Sequence, residues 1–161
     1  MRGKSIKVQD LPSGVSFGRE FSTSVVLFQE AIASKLGLNA TDYRCLEVMI
    51  RKGQMTAKAL AQEVHLTTGA ITGIVDHLEE AGYAERLENP EDRRSTIVSP
   101  LMTQTELEEK LGGTLVAYRA AMAKLFSKYN TEQTAVIVDF LREFVRVLEA
   151  QTSTLQDTSV R

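Results

Sequence analysis

The sequence has few of the cysteines that cross-link small secreted domains, and it lacks the long apolar runs of membrane-spanning helices. It has one cysteine, three prolines and no tryptophan among 161 residues. The lone Cys45 cannot form an internal disulfide, which favours a reducing compartment. No apolar run approaches the roughly 18–20 residues that a membrane-spanning helix needs, and the first residues do not resemble a signal peptide. We therefore expect a cytoplasmic protein without a membrane partner.

A surplus of positive charge is also lacking. Lys and Arg number 19 against 21 Asp and Glu, for a formal net charge of −2. A nucleic-acid-binding protein is usually basic, so this balance counts against DNA binding unless specific motifs outweigh it. Net charge does not, however, report how the charges are distributed over the surface. The hydrophobic share of 43% predicts an ordinary globular protein with a real core.

The signatures of catalysis are missing as well. The sequence shows no paired catalytic carboxylates, nucleophile elbow or phosphate-binding loop. The two histidines, His65 and His77, are twelve positions apart and have no neighbouring ligand cluster. We expect no enzymatic activity, no metal and no cofactor.

Helical periodicity dominates the pattern that is present. Residues 1–15 lack it and predict a flexible arm, whereas apolar residues recur at helical spacing from Phe17 until Gly37. Asn39, followed by Asp42, predicts the start of a second helix by a variant of the capping box.

Two threonines predict the next two helix starts. Thr56 opens a short helix, and Thr67 opens another that ends at Gly82. Residues 83–87 and 95–99 then read as two strands joined by a charged turn. The fold class is therefore mainly α with a small β-hairpin.

The remaining chain predicts two more helices. Thr103 and Glu106 form a capping box before one long helix to about residue 129, with Gly112 and Gly113 bending or loosening it. A last helix begins near residue 130, and residues 151–161 are expected to be a frayed tail.

The order helix, short helix, helix, hairpin is that of a winged helix-turn-helix, which places one helix in the DNA major groove. Leu66–Arg86 (LTTGAITGIVDHLEEAGYAER) and Asn89–Ser95 (NPEDRRS) resemble the recognition helix and the wing of the MarR family of bacterial regulators. The resemblance covers roughly residues 17–150. It implies a DNA-binding winged domain over residues 39–100 and a helical dimerisation lobe from residues 16–38 and 101–150.

The resemblance places a set of small and hydroxyl residues at the DNA. Small side chains let a helix approach the groove closely, and Thr reaches base edges or phosphates. The candidate contacts in the helices are Thr56, Lys58, Thr67, Thr68, Gly69, Thr72, Gly73 and His77. Two alternatives stay open: Thr67 is only a helix cap, and Gly69 and Gly73 serve a tight contact with another helix.

The turn between the strands supplies the remaining DNA contacts. Arg93 and Arg94 are the candidates for phosphate or minor-groove contacts, because a guanidinium stays charged and fits a narrow groove. The alternative is a solvated turn or an ion pair with Glu91 or Asp92. The resemblance gives Asp92 the role of stabilising the wing.

The recognition helix departs from the family pattern in its charge. His77 stands where relatives often carry Arg, so a phosphate contact there becomes weaker and pH-sensitive. No Lys or Arg lies between Thr67 and Gly82, whereas Asp76, Glu79 and Glu80 do. Binding is expected to depend heavily on the wing.

The resemblance also implies a two-fold homodimer and, in many relatives, a small aromatic or anionic effector that releases DNA. The candidate lining residues of an effector pocket are Phe17, Phe21, Tyr43 and Met49, and plain core packing is the alternative for each. Cys45 is expected to be a buried apolar residue rather than a redox sensor.

The function predicted from the sequence is a sequence-specific double-stranded DNA-binding regulator, a ligand-responsive repressor acting as a homodimer on a pseudo-palindromic operator. The alternative is a winged-helix module that binds another protein and no DNA, which the acidic balance permits.

Overall fold

A computed structural model describes the backbone of residues 14–92 and 94–158 and the side chains of residues 18–92 and 94–155. The elements in chain order are α1 (Gly14–Lys35), α2 (Ala40–Lys52), β1 (Met55–Thr56), α3 (Ala57–Glu63), α4 (Thr68–Glu80), β2 (Ala84–Glu88), β3 (Thr96–Pro100), α5 (Gln104–Lys110), α6 (Thr114–Phe126) and α7 (Thr131–Thr158). They form two compact units that divide between Gly113 and Thr114. The predicted fold class, mainly helical with a small β element, is confirmed.

Side chains just before the helices fix where the helices begin. The Asn39 amide oxygen accepts hydrogen bonds from the backbone of Thr41 and Asp42 at the start of α2. Thr56 and Thr67 cap α3 and α4 through their hydroxyl oxygens, and Thr103 forms a complete capping box with Glu106 at α5. Each cap satisfies backbone N–H groups that have no partner inside the helix, which is why all four predicted starts are confirmed.

The sheet has three antiparallel strands in the order β1–β3–β2. Val98 is the central residue, paired with Met55 on one side and Arg86 on the other. Two of the strands were predicted, one residue earlier than observed. The strand β1 was missed because two residues are too short to show an alternating pattern.

The core of the first unit lies between α2, α3, α4 and the sheet. Its fully buried large side chains are Leu46, Met49, Leu60, Ile71, Val75, Leu78, Val98, Leu107 and Leu111. Leu46 and Met49 of α2, Leu60 of α3, and Ile71, Val75 and Leu78 of α4 give each of these helices an apolar face toward the core, while β3 supplies Val98 and the region of α5 supplies Leu107 and Leu111. The opposite face of α4 is left at the surface.

The predicted long helix after Thr103 is wrong. The chain forms two helices, α5 and α6, separated by residues 111–113. Gly112 and Gly113 have φ angles of +57° and +74°, which lie in the left-handed region and end a right-handed helix. The glycines therefore stop the helix instead of bending it.

The predicted ends of the chain also need correction. The helix α1 begins at Gly14, so the last two residues of the predicted arm are helical, and the rest of the arm lies outside the described residues. The helix α7 continues to Thr158, beyond the predicted end near residue 150. No Gly or Pro follows residue 130, and the Ser153 and Thr154 hydroxyls donate to carbonyls one turn earlier, so nothing interrupts the helix.

The terminal helices carry many apolar side chains at the surface. Within residues 114–155, the described part of the second unit, no side chain is buried. The exposed large apolar residues of α1, α6 and α7 are Phe21, Val25, Val26, Leu27, Phe28, Val116, Tyr118, Leu125, Val136, Phe140, Leu141, Val145, Val147, Leu148 and Leu155. No helix in the described part of the chain is both long and apolar enough to cross a membrane.

Candidate nucleic-acid interface

The helices α3 and α4 form a helix-turn-helix with a tight connection. The turn passes through His65, which has a φ angle of +54° and is the one non-glycine residue with positive φ among the described residues. Its backbone N–H still donates to the carbonyl of Gln62 at 3.3 Å, and Leu66 N–H donates to Ala61 at 2.9 Å. These bonds close the end of α3 and bring Thr67 to the start of α4.

The exposed face of α4 contains little side-chain bulk near its start. Thr68, Gly69 and Thr72 are exposed and Gly73 is half-buried, while Ile71 lies in the core. A Cβ added at either glycine would meet no atom within 4 Å. The glycines are therefore not required for a helix contact within the described chain, which removes the tight-contact alternative there.

The threonine hydroxyls of α4 already have backbone partners. Thr67 Oγ1 accepts the N–H of Ala70 at 3.2 Å, so the helix cap is real. The Thr72 hydroxyl donates to the Thr68 carbonyl at 3.2 Å. With its proton engaged in this way, Thr72 is left with acceptor capacity toward a ligand, and Thr67 retains a proton that it can donate.

The start of α3 holds two of the candidate DNA contacts, the helix cap Thr56 and the charged Lys58. The Thr56 hydroxyl accepts the Ala59 N–H at 3.1 Å and is half-buried. Lys58 is exposed in the first turn of the helix.

The wing is the turn between β2 and β3, and its own polar groups hold it. The Asp92 carboxylate accepts the Arg94 N–H at 3.0 Å, and its carbonyl accepts the Ser95 N–H and hydroxyl. Asn89 donates to the Ser95 hydroxyl across the base of the turn at 2.6 Å. The Arg94 side chain is exposed, and Arg93 lies outside the described residues.

Arg86 joins the strand β2 to α4, a role that was not predicted from the sequence. Its guanidinium contacts Asp76 at 2.6 Å, forms an ion pair with Glu79, and donates to the Thr72 carbonyl at 2.9 Å. Its backbone N–H also donates to Glu79 at 2.7 Å. Two of the three acidic residues of α4 are thus compensated from the hairpin. An arginine in the strand that follows an acidic helix was the available signal.

His77 contacts another helix of the same unit. Its Nδ1 lies 3.4 Å from a carboxylate oxygen of Asp42, whose side chain is buried and accepts a hydrogen bond from Asn39 at 2.8 Å. The imidazole remains 62% exposed. The structure therefore places His77 at the edge of α4 that faces α2, beside the Asp42 carboxylate, whereas only a DNA phosphate was predicted as its partner from the sequence.

Of the predicted effector residues, the three with described side chains differ in burial and do not share one exposed surface. Met49 is fully buried and Tyr43 is 7% exposed, so both belong to the core, while Phe21 is 41% exposed on α1. Burial, followed by the nearby Glu47 charge, raises the pKa of Tyr43. The side chain of Phe17 lies outside the described residues.

Cys45 lies in an environment that disfavours redox chemistry. Cys45 is fully buried, and burial raises the pKa of its thiol to about 11. A thiol reacts through its thiolate, so this cysteine is poorly suited to sensing oxidants. Among the described residues, no three His, Cys, Asp or Glu side chains are grouped closely enough to hold a metal ion.

Comparisons with known proteins agree on one family. The sequence profile of the MarR family matches residues 38–96. The HTH-type transcriptional regulator YcgE of Bacillus subtilis is 31% identical over 144 residues, which cover 89% of this chain and 92% of that protein.

Solved structures show the same fold. The apo form of wild-type MarR from E. coli matches with a TM-score of 0.58 and 18% identity, covering 88% of this chain and 98% of that one. NadR in complex with 4-hydroxyphenylacetate matches with a TM-score of 0.59 and 19% identity, covering 89% and 97%.

Proposed function

This chain belongs to the MarR family of transcriptional regulators, and from that membership we propose that it is a repressor that binds a pseudo-palindromic DNA operator as a homodimer. The family establishes a DNA-binding regulator with a winged helix fold. Repression, the operator's symmetry and the residues that contact it are our proposal. The protein would act in the cytoplasm, where its DNA is, and would have no reaction of its own.

The observation that carries the proposal is the open surface of α4. Its first two turns expose Thr68, Gly69 and Thr72, and neither Gly69 nor Gly73 is needed for packing within the described chain. A helix with so little bulk can lie deep in a major groove, with its backbone close to the base edges. Arg86 holds the hairpin beside it.

Each proposed contact has one role. Thr68, Gly69, Thr72 and Gly73 face the base edges. The N-terminal end of α4 and the free hydroxyl proton of Thr67 favour a phosphate, since helix N-termini attract anions. Thr56 and Lys58 lie at the start of α3, where the lysine contacts the backbone of the DNA.

The wing is assigned two cationic contacts to the DNA. Arg93 and Arg94 contact phosphates or the minor groove, and Asp92 keeps the turn in shape through its bonds to the Arg94 and Ser95 backbone. His77 can contact a phosphate only when its imidazole is not engaged with the Asp42 carboxylate. We therefore assign it the smallest contribution to DNA affinity.

The exposed apolar residues of the terminal helices support a homodimer. Contiguous exposed apolar surface on a soluble protein marks an interface, and two-fold homodimers are the commonest oligomers. Two copies would present two α4 helices to half-sites about one helical turn apart.

The test is selection of bound duplexes from a random pool, followed by binding of the selected duplex at several salt concentrations. A palindromic consensus is expected. The double variant Arg93→Ala, Arg94→Ala should bind the duplex more weakly. The slope of log affinity against log salt concentration should become shallower by about the amount that two phosphate contacts contribute. Arg146→Ala, which removes an exposed arginine paired with Glu143 on α7, is the matched control.

The second candidate function is a protein-binding module without DNA binding, favoured only by the net charge of −2. Failure of the wild type to retain any duplex at low salt would favour it over the repressor.

We further propose that a small aromatic or anionic effector weakens DNA binding. The support is the solved structure of NadR with 4-hydroxyphenylacetate. Adding 4-hydroxyphenylacetate to the protein–duplex complex should release the DNA in a saturable manner, whereas benzyl alcohol, which lacks the carboxylate, should not. No release at millimolar concentration would count against an effector of this aromatic anionic type.

A further inference from the structure

Tyr83 connects four segments of the winged unit at the residue where the hairpin begins. It is 4% exposed and lies directly before β2. Its N–H donates to the Leu78 carbonyl in α4 at 2.8 Å, and its carbonyl accepts the Leu101 N–H beyond β3 at 2.9 Å. These two backbone bonds attach the residue firmly to the recognition helix and to the end of the hairpin.

The Tyr83 side chain extends this connection to α1. Its hydroxyl donates to the Leu36 carbonyl at 2.9 Å, and that carbonyl lies just past the last helical residue, Lys35. Carbonyls at a helix C-terminus have no partner within the helix. The bond is buried, so losing it would leave a polar group without water to replace it.

Lys110, the last residue of α5, contacts the Tyr83 side chain and strengthens its hydrogen bond to Leu36. Its ammonium donates to the Tyr83 hydroxyl oxygen at 3.2 Å and lies 4.4 Å from the centre of the ring. A hydroxyl that accepts from a cation becomes a better donor, because hydrogen bonds in a chain polarise one another. The hydrogen bonds therefore run from the Lys110 ammonium to the Tyr83 hydroxyl, and from that hydroxyl to the Leu36 carbonyl.

We propose that Tyr83 is a positioning residue that fixes the orientation of α1 relative to the reading head, which consists of α2, α3, α4 and the β2–β3 hairpin. Tyr83 thereby sets the distance between half-sites that the dimer accepts. The proposal rests on the proposed function, because α1 sets that distance only if it belongs to the dimer interface. The middle of α1 exposes Phe21 and Val25, whereas Ile32 and Ala33 near its C-terminal end and Leu36 just after it are buried. A rotation about the end of α1 would move the reading head as a whole, and the Tyr83–Leu36 bond resists that rotation.

Tyr83→Phe is the variant that tests the inference. It removes the hydroxyl, and with it the hydrogen bonds to Leu36 and from Lys110, and it keeps the buried ring and the contact of Lys110 with the ring face. Affinity is measured for the selected duplex, for duplexes with one base pair added or removed between the half-sites, and for a single half-site. The wild type should prefer the spacing between half-sites of the selected duplex. In Tyr83→Phe this preference should fall about fivefold for each Tyr83–Leu36 hydrogen bond lost, because one buried hydrogen bond contributes about that factor. Half-site affinity should stay within about twofold of the wild type.

A second variant keeps the test valid if Tyr83→Phe does not fold. Lys110→Met removes the cation and keeps an apolar stem, and it should reduce the spacing preference in the same direction by less. Lys52→Met, which breaks an ion pair between α2 and α3 without touching α1, is the matched control and should leave the preference unchanged.

The outcomes separate the inference from the function on which it rests. Three results would overturn the role of Tyr83 and leave DNA binding intact. In the first, both variants keep the spacing preference of the wild type. In the second, affinity falls equally on every duplex, including the half-site, and in the third the wild type itself has no spacing preference. A wild type that binds no duplex would overturn the proposed function instead.

Discussion

At the scale of single residues, the acidic side chains of α4 would repel the phosphates of the groove that this helix is proposed to enter. Asp76 and Glu79 are both in contact with Arg86, whose side chain is 30% exposed. Exposed ion pairs contribute about 0–1 kcal/mol to stability, but this arginine also donates to the Thr72 carbonyl. Its larger effect is expected on DNA affinity, because it compensates two negative charges where the DNA approaches.

Arg86→Ala is therefore expected to weaken operator binding by at least about tenfold, since like charges facing each other across an interface oppose association. The free energy of unfolding should fall by about 1–2 kcal/mol as the hydrogen bonds are lost. Fluorescence anisotropy with the selected duplex and urea denaturation measure the two effects.

Arg86→Lys separates charge from geometry at this position. Lysine restores one positive charge but cannot reproduce the forked contacts of a guanidinium, so intermediate affinity is expected. Wild-type affinity in Arg86→Ala would show that the acidic residues of α4 do not approach the DNA.

Which residues the sequence could reveal depended on how far away their partners are. The caps Asn39, Thr56 and Thr67 bond to residues two or three positions ahead, so the local sequence is sufficient to predict them. Arg86 binds residues 7 to 14 positions earlier, and His77 meets Asp42 on another helix. Such contacts exist only after the hairpin and the helices have packed, and no local pattern encodes them.

At the scale of elements, the turn of the helix-turn-helix stores the clearest backbone strain. His65 has a φ angle of +54°, which costs an ordinary L-residue roughly 1–2 kcal/mol, although His tolerates it better than most. The flanking caps and hydrogen bonds hold it there. Nothing in the described contacts requires its imidazole.

His65→Gly is expected to raise the free energy of unfolding by about 0.5–1 kcal/mol, because relief of the left-handed strain exceeds the extra chain entropy of glycine. His65→Val should lower it by about 1–2 kcal/mol, since a β-branched residue is disfavoured at positive φ. Chemical denaturation of both variants provides the measurement.

The control for this pair is Gln62→Gly, which places the same residue at an exposed position inside α3, where it should destabilise by about 1 kcal/mol. If His65→Gly is destabilising to the same extent, the imidazole makes a contribution that outweighs the strain.

The elements themselves were predictable wherever periodicity and caps acted together. The helices α2, α3 and α4 were predicted with the correct starts, because each combines an N-cap with an apolar face. The break after α5 was underestimated, since the sequence shows that glycines are present but not that both adopt positive φ. The strand β1 depends on β3 as its partner and has no signal of its own.

At the scale of the whole molecule, the composition of the terminal helices makes sense only if another surface covers them. In α7, Val136 is 69% exposed, Phe140 64% and Leu155 70%. These exposures identify apolar residues of α7 that lie at the surface. A second copy of the chain is the covering surface that the proposed function requires.

Phe140→Glu tests that assembly. Phe140 is an exposed aromatic of α7 and stacks on Phe144 with ring centroids 6.2 Å apart. A two-fold interface would bury it twice, so the variant loses about 1.5–3 kcal/mol of apolar burial per copy and forces a charge into the interface. The dimer dissociation constant should rise by at least about two orders of magnitude, measured by sedimentation velocity over a concentration series.

The same variant should keep the helical signal of the first unit and its affinity for a single half-site, while its affinity for the full operator falls toward that of the half-site, because the second head is no longer tethered. Gln151→Glu adds the same charge to an exposed polar position of α7 and should leave the dimer intact. A Phe140→Glu protein that remains dimeric and binds the full operator as the wild type does would mean that α7 does not bury Phe140 in the dimer. The two reading heads would then have to be joined through α1 or α6, whose exposed apolar residues would be the next to receive a charge.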